Sequence, residues 1–206
     1  MATLSDIRTL VARDLRDTAN TTWSTNELDD RINQGIDALS AFYPKEIVSN
    51  FATVSASVTS YAASSFTNIY RIDTYSGTTY MGSVQHGIGE GPDSGWELHA
   101  GIIWLAPSFP LTAGYVLRAF GYGGYIQLSA SSSTTDLDTS GLFAVRVFVQ
   151  VESFAQLIAD RAKFQQWQTD SNNTDVTALG LAQLYQGATQ RWAREVTRLR
   201  KMRKLG

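Results

Sequence analysis

The sequence predicts an α+β fold: a small antiparallel bundle of four helices with an antiparallel β-rich domain inserted between the second and third. Apolar residues recur at helical spacing towards both ends of the chain. Between Ile47 and Tyr125 the texture changes to Ser, Thr, Gly, Val and aromatics, with little charge. Glycine and proline turn signals punctuate that middle part into short runs.

The first helix is expected from about Leu4 to Asp17, with Ile7, Leu10, Val11 and Leu15 on one face and Thr3 with Asp6 as its capping start. Thr18–Thr22 is a polar break. Ser24-Thr25-Asn26-Glu27 is a capping box for the second helix, whose stripe is Leu28, Ile32, Ile36, Leu39 and Phe42 or Tyr43. Gly35 inside it costs up to about 1 kcal/mol against alanine, which a close helix crossing would explain. Pro44 ends the helix, because it drives Tyr43 out of helical geometry.

In the middle, Thr53–Thr59 alternates small polar with small apolar residues, as a strand does. Ile69–Tyr75 is a second strand, followed by a turn at Ser76-Gly77. Trp96–Leu98 and Ile102–Leu105 read as a hairpin about the three-residue loop His99-Ala100-Gly101. Gly114–Tyr122 is another apolar strand, so a meander of five or six strands is expected. Low-complexity residues 129–140 lead back to a third helix, Leu142–Lys163, with the stripe Val147, Val151, Phe154, Ile158 and Ala162. After the polar loop Thr169–Thr174 a last helix runs from Asp175 to about Leu205, with the stripe Leu181, Leu184, Tyr185, Ala188, Trp192, Val196 and Leu199. The expected domains are therefore 1–46 with 140–206 (helical) and 47–139 (β-rich), with 191–206 as a basic end of the last helix.

A chain of 206 residues with 43% hydrophobic and 17% charged residues is globular in composition. Its longest uninterrupted apolar runs fall short of the roughly 18–20 residues that a membrane span needs, and no membrane is expected as a partner. The N-terminus lacks a basic region before an apolar core, so no signal peptide is expected. With no cysteine, disulfides and thiolate metal sites are excluded.

Catalytic and cofactor chemistry finds little support, and neither an enzyme, a metal nor a cofactor is expected. The two histidines, His86 and His99, sit in turn-like stretches without carboxylates at helical spacing beside them. There is no Gly-x-Ser-x-Gly elbow. Gly87–Gly91 is glycine-rich, but no helix follows to hold a phosphate and no Lys-Ser or Lys-Thr accompanies it. Asp29-Asp30 reads as helix surface, and Asp136 to Asp138 as loop plus N-cap. The aromatics Trp96, Trp104, Tyr115, Phe120, Tyr122 and Tyr125 would suit sugar or base stacking if exposed in a row, but they are equally good strand core.

Charge is the main functional signal. From Arg191 to Gly206 seven basic residues (Arg191, Arg194, Arg198, Arg200, Lys201, Arg203 and Lys204) face one acid, Glu195, a local charge of +6 on a chain whose net charge is −2. Favourable interaction with a helix C-terminus is worth about 0.3–1 kcal/mol per group and accounts for only part of such a cluster. Docking on an acidic surface accounts for the rest, and Trp192, Val196, Leu199, Met202 and Leu205 between the charges favour a protein surface over nucleic acid.

Three stretches in this order resemble the bacteriophage head-to-tail adaptor (connector) proteins. They are Leu4–Leu15 with Asp17, Trp23-Ser24-x-x-Glu27-Leu28 and a helix ending at Pro44-Lys45-Glu46; then Trp96-Glu97-Leu98, Gly101–Pro107 and Gly114–Arg118; then the closing basic helix with Trp192. The resemblance implies a structural virion protein of the neck, made in the host cytoplasm. Its helical parts would pack side by side into a homo-oligomeric ring, commonly twelvefold, between the portal protein and the tail or stopper proteins. The ring would extend the DNA channel, with DNA passing through without sequence-specific binding. By the same resemblance Arg191, Trp192, Arg194, Arg198, Arg200, Lys201, Arg203 and Lys204 would dock on the portal, and the acidic remainder would line the channel.

The alternatives are another neck or tail role (stopper or tail completion), a glycan- or host-binding module on the β-rich insert using Trp96 and Trp104, and a nucleic-acid-binding protein using the last helix. The last predicts affinity falling steeply with salt.

Overall fold

The computed structural model describes residues 2–55, 58–84, 86–87, 95–106 and 112–205. The chain forms two compact units, Met1–Tyr43 with Tyr125–Gly206, and Pro44–Gly124.

The first unit is helical: α1 (Leu4–Asp14), α2 (Thr25–Phe42), α3 (Thr139–Ala159), α4 (Arg161–Asp170) and α5 (Ala178–Leu205); the strands of the other unit are numbered separately. Both predicted capping boxes form, Thr3 with Asp6 and Ser24 with Glu27. Gly35 lies at a close crossing: a Cβ there would meet Phe148 Cδ1 and Val145 Cγ1 of α3 at 3.1 Å each. Trp23, Ile32, Ile36, Leu39, Val145 and Trp167 are fully buried in the shared core. Each buried aliphatic side chain contributes about 1.5–3 kcal/mol. The part-buried ion pairs Arg8–Asp29, Arg146–Asp14 and Lys163–Glu27 link α1 to α2, α3 to α1 and α4 to α2.

A bundle of four helices is not what forms: the described residues contain five, because the predicted helix Leu142–Lys163 is broken. Asp160 adopts φ −117° and ψ 100°, closing α3 and capping α4 through its side chain, which accepts the Lys163 N–H at 3.0 Å. The break turns Trp167 into the core, against Phe154 and Phe164. Consequently Ile158 and Ala162, expected on the buried stripe, are exposed. By length and composition alone α3 is apolar enough to cross a membrane, with 21 residues and a window of mean hydropathy 1.5. Scanning for uninterrupted apolar runs does not detect this. Here that apolarity serves core packing, since Ala144, Val145, Val149 and Leu157 are buried and Arg146 pairs with Asp14.

Residues 125–139, expected with the β-rich part, belong to the helical unit, and 44–46, expected with the helices, belong to the other. The Asn33 side chain clamps the Leu128 backbone, accepting its N–H at 2.9 Å and donating to its carbonyl at 3.0 Å. The N–H groups of Leu4 and Ser5 reach the carbonyls of Ser133 and Ser131. The Ser-rich segment thereby supplies partners for orphan donors at the start of α1.

The second unit holds β1 (Lys45–Thr53), β2 (Ser60–Ala62), β3 (Asn68–Ser76), β4 (Thr79–Val84), β5 (Trp96–His99), β6 (Ile102–Leu105) and β7 (Val116–Gly123). These make two antiparallel sheets, β1-β7-β3-β4 and β2-β6-β5, in place of the single meander expected. The strand expected over Thr53–Thr59 is absent at 54–55 and 58–59, and its Ala56 and Ser57 lie outside the described residues. Trp96, Ile72, Ile103, Leu117 and Ala119 are fully buried in the core of this unit. Gly121 and Gly123 permit the central pairing, because a Cβ would fall 2.2 Å from the Asn68 carbonyl oxygen and 2.3 Å from that of Ser65. The β5–β6 loop is two residues, not three: His99 pairs with Ile102, and Ala100 and Gly101 have φ of 51° and 74°. Two left-handed residues match the twist of a hairpin better than the longer loop.

Candidate functional site

The basic end of α5 is a helix whose inner face is anchored. Trp192 is half-buried and meets Phe42 and Phe148 edge-on, with ring centroids 5.4 and 5.3 Å apart. Ala188 and Leu199 on the same side are buried. Arg191, Arg194, Arg198 and Lys201 occupy spacings of three, seven and ten residues on the opposite side. They therefore return to within about 80° of one another around the axis and extend about 15 Å along it. All four are exposed.

Within this stripe Arg198 pairs with Glu195 at 2.7 Å, and the Arg194 Nε donates to the Gln190 carbonyl at 3.3 Å. Arg191 and Lys201 have no carboxylate partner among the described residues. Arg200 is turned away, with its guanidinium 5.7 Å from the Phe42 ring centroid. Arg203 and Lys204 continue the helix, but their side chains lie outside the described residues. Of the eight residues singled out by sequence, four thus share one face, Arg200 sits apart, and Trp192 serves as the anchor behind them.

Helix faces with no partner remain elsewhere on this unit. Ile158 is 51% and Leu179 70% exposed, beside a 490 Å³ groove lined by Leu157, Arg161, Phe164 and Leu181.

Among the described residues no three His, Asp or Glu side chains are grouped as metal ligands. His86 is exposed, and its ring packs edge-on against Trp96 with ring centroids 4.6 Å apart. His99 is exposed at the end of β5. Of the Gly87–Gly91 stretch only Gly87 is described. Asp138 caps α3, as its position suggests, while Asp29 is bound by Arg8 through two hydrogen bonds. Trp96 is fully buried and its Nε1 donates to the Val84 carbonyl at 3.2 Å, so the pair Trp96 and Trp104 cannot form one exposed platform.

Sequence reasoning missed a second surface, the outer face of the four-stranded sheet. Arg118, Phe120 and Tyr122 of β7 lie beside Arg71, Asp73 and Tyr75 of β3 on that face. The Arg71 guanidinium lies 4.2 Å from the Phe120 ring centroid, and that of Arg118 4.1 Å from Tyr75. Asp73, fully buried, holds Arg71 through its Nε and terminal nitrogen and accepts the Ser83 hydroxyl at 2.7 Å. The Asp73 carboxylate raises the pKa of Arg71 above its ordinary value. Tyr70 donates to Glu46 at 2.6 Å; this bond and partial desolvation push its hydroxyl up to about 12. The available signal was the alternation Arg118-x-Phe120-x-Tyr122, which places all three on one side of a strand.

The chain matches no protein-family model and no curated protein.

Proposed function

We propose that this chain is a non-enzymatic structural protein of a bacteriophage particle. Its copies form a homo-oligomeric ring between portal and tail at the neck of the virion, and the ring extends the DNA channel. The observation that carries the reading is the cationic stripe Arg191, Arg194, Arg198 and Lys201 on a helix whose other face is locked by Trp192 and Leu199. The helix backbone that carries these charges is already formed, so docking orders side chains alone, and the ladder suits an acidic protein surface such as a portal would offer. The exposed apolar residues Ile158 and Leu179 supply material for contacts between neighbouring copies. DNA passes through the ring without being read.

The test is fractionation of virions, asking whether this chain co-purifies with the portal protein, and again after deletion of residues 191–206. The reading expects co-purification of the full chain and loss of both portal association and tail attachment in the truncated form. A chain that travels with tail fibres, or stays free of particles, refutes it.

A further inference from the structure

A 160 Å³ cavity opens where the end of α1 meets α3, α4 and α5. Phe154 and the fully buried Trp167 line it, and Gln150 adds a side-chain amide. Arg16 and Arg191 line it too, brought together from distant parts of the chain. Both are exposed, and among the described residues neither guanidinium is paired with a carboxylate. The neighbouring acids are already engaged. Asp14, on the lining, is held by the Nε and a terminal nitrogen of Arg146 at 2.8 and 2.5 Å. Asp17 turns its carboxylate to the backbone N–H groups of Thr21, Thr22 and Trp23. Glu195, one turn beyond Arg191, pairs with Arg198.

Arg16 is also an unusual residue for its backbone. It stands just past α1 with φ 54°, the left-handed position where glycine is the usual occupant. Its N–H donates to the Arg13 carbonyl and that of Asp17 to the Ala12 carbonyl, the turn that such a position serves. Its own carbonyl accepts the Asn173 side chain at 3.1 Å. Glycine would make this turn with less strain, so the turn does not account for an arginine. A cation at a helix C-terminus is favourable, but Arg13 in the last turn already supplies one. What the guanidinium of Arg16 adds is a second unpaired cation at the cavity. Two such charges beside buried rings select an anion, because the low local dielectric strengthens their attraction for it. Their forked N–H donors match the oxygens of a carboxylate or a phosphate, and the volume suits a group of a few heavy atoms. We infer that this cavity binds a small oxyanion, a carboxylate or phosphate group, held between Arg16 and Arg191.

The experiment titrates the full chain with sodium acetate and with inorganic phosphate, at an ionic strength held constant with chloride, following the arginine Nε–H resonances by NMR. The expected result is saturable binding of at least one anion that shifts the Arg16 and Arg191 resonances. Arg16→Gly and Arg191→Gln should each weaken it at least about tenfold. Arg194→Gln, on the same stripe but off the cavity lining, should leave it unchanged. Arg16→Gly should unfold at the temperature of the wild type or above it, because glycine relieves the left-handed backbone, so its loss of binding is not a loss of fold. Tighter binding of phosphate assigns a phosphate group to the site and tighter binding of acetate a carboxylate, and either agrees with the inference. Three results each overturn it: no saturable binding of either anion, binding indifferent to Arg16→Gly and Arg191→Gln, or binding weakened as much by Arg194→Gln, which is the diffuse attraction of a basic helix. The free chain is measured without a portal, so failure here and failure of the adaptor reading are distinguishable.

Discussion

The indole N–H of Trp167 donates to the carbonyl of Leu15 at 2.9 Å, across 152 positions of sequence. This bond gives the break at Asp160 its purpose. A continuous helix would carry Trp167 past the core, whereas the turn brings it onto the end of α1 and fills the space beside Phe154 and Phe164. Trp167→Phe keeps most of the packing but leaves the Leu15 carbonyl without that donor. It should destabilise the helical unit by about 1–3 kcal/mol. Urea unfolding followed by circular dichroism measures it, and an unshifted midpoint would contradict the role given to the bond.

Two glycines should respond to alanine with opposite signs. Gly121→Ala places a Cβ 2.2 Å from a backbone oxygen, so β7 or β3 must move, at about 1–3 kcal/mol or more. Gly187, inside α5, has nothing within 4 Å of the added atom. Gly187→Ala should stabilise the helix by up to about 1 kcal/mol. Thermal unfolding of both variants checks the pair.

Stability should fall on acidification partly through Glu27. Desolvation pushes its pKa up, but hydrogen bonds from Lys163 and from the backbone and hydroxyl of Ser24 outweigh this and hold it at about 2, below its ordinary 4.5. A carboxylate with a depressed folded-state pKa stabilises the fold above 4.5 and loses that contribution as the pH falls from 4.5 towards 2. The difference in stability between the wild type and Glu27→Gln should therefore be level near neutrality and shrink across that window. Denaturant titrations at several pH values read it directly, and a constant difference would show that the Lys163–Glu27 bond does not act in this way.

Tyr70 offers a spectroscopic check on the sheet face. Its hydroxyl is held at about 12 mainly by the hydrogen bond to Glu46, so Glu46→Gln should bring its ionisation down towards the ordinary 10. Tyrosinate absorbance, compared with that of Tyr70→Phe, isolates the group. An ionisation unchanged by Glu46→Gln would mean that the bond is absent in solution.

How much of this was legible in the sequence depended on range. The caps at Thr3 and Ser24 are legible because their partners lie three residues away. Gly35 pointed to a helix crossing because its intrinsic cost needs a reason. The Asp160 break was hidden: the apolar period runs through it, and only the distant Leu15 and Phe154 make it favourable. Strand order was hidden for the same reason, since alternation along β7 gives its faces but not its pairing with β1 and β3. Of the basic cluster, position along the chain was plain. The separation of Arg191, Arg194, Arg198 and Lys201 from Trp192 and Arg200 became visible once the buried side of α5 was fixed by Phe42 and Phe148.

The most direct measurement is binding of the purified chain to purified portal rings, comparing the wild type with a variant in which Arg191, Arg194, Arg198 and Lys201 are all changed to Glu. The account predicts salt-sensitive binding by the wild type and its loss in the variant, with the helical content of the two chains equal. Equal binding by both, or no binding by a correctly folded wild type, would contradict it.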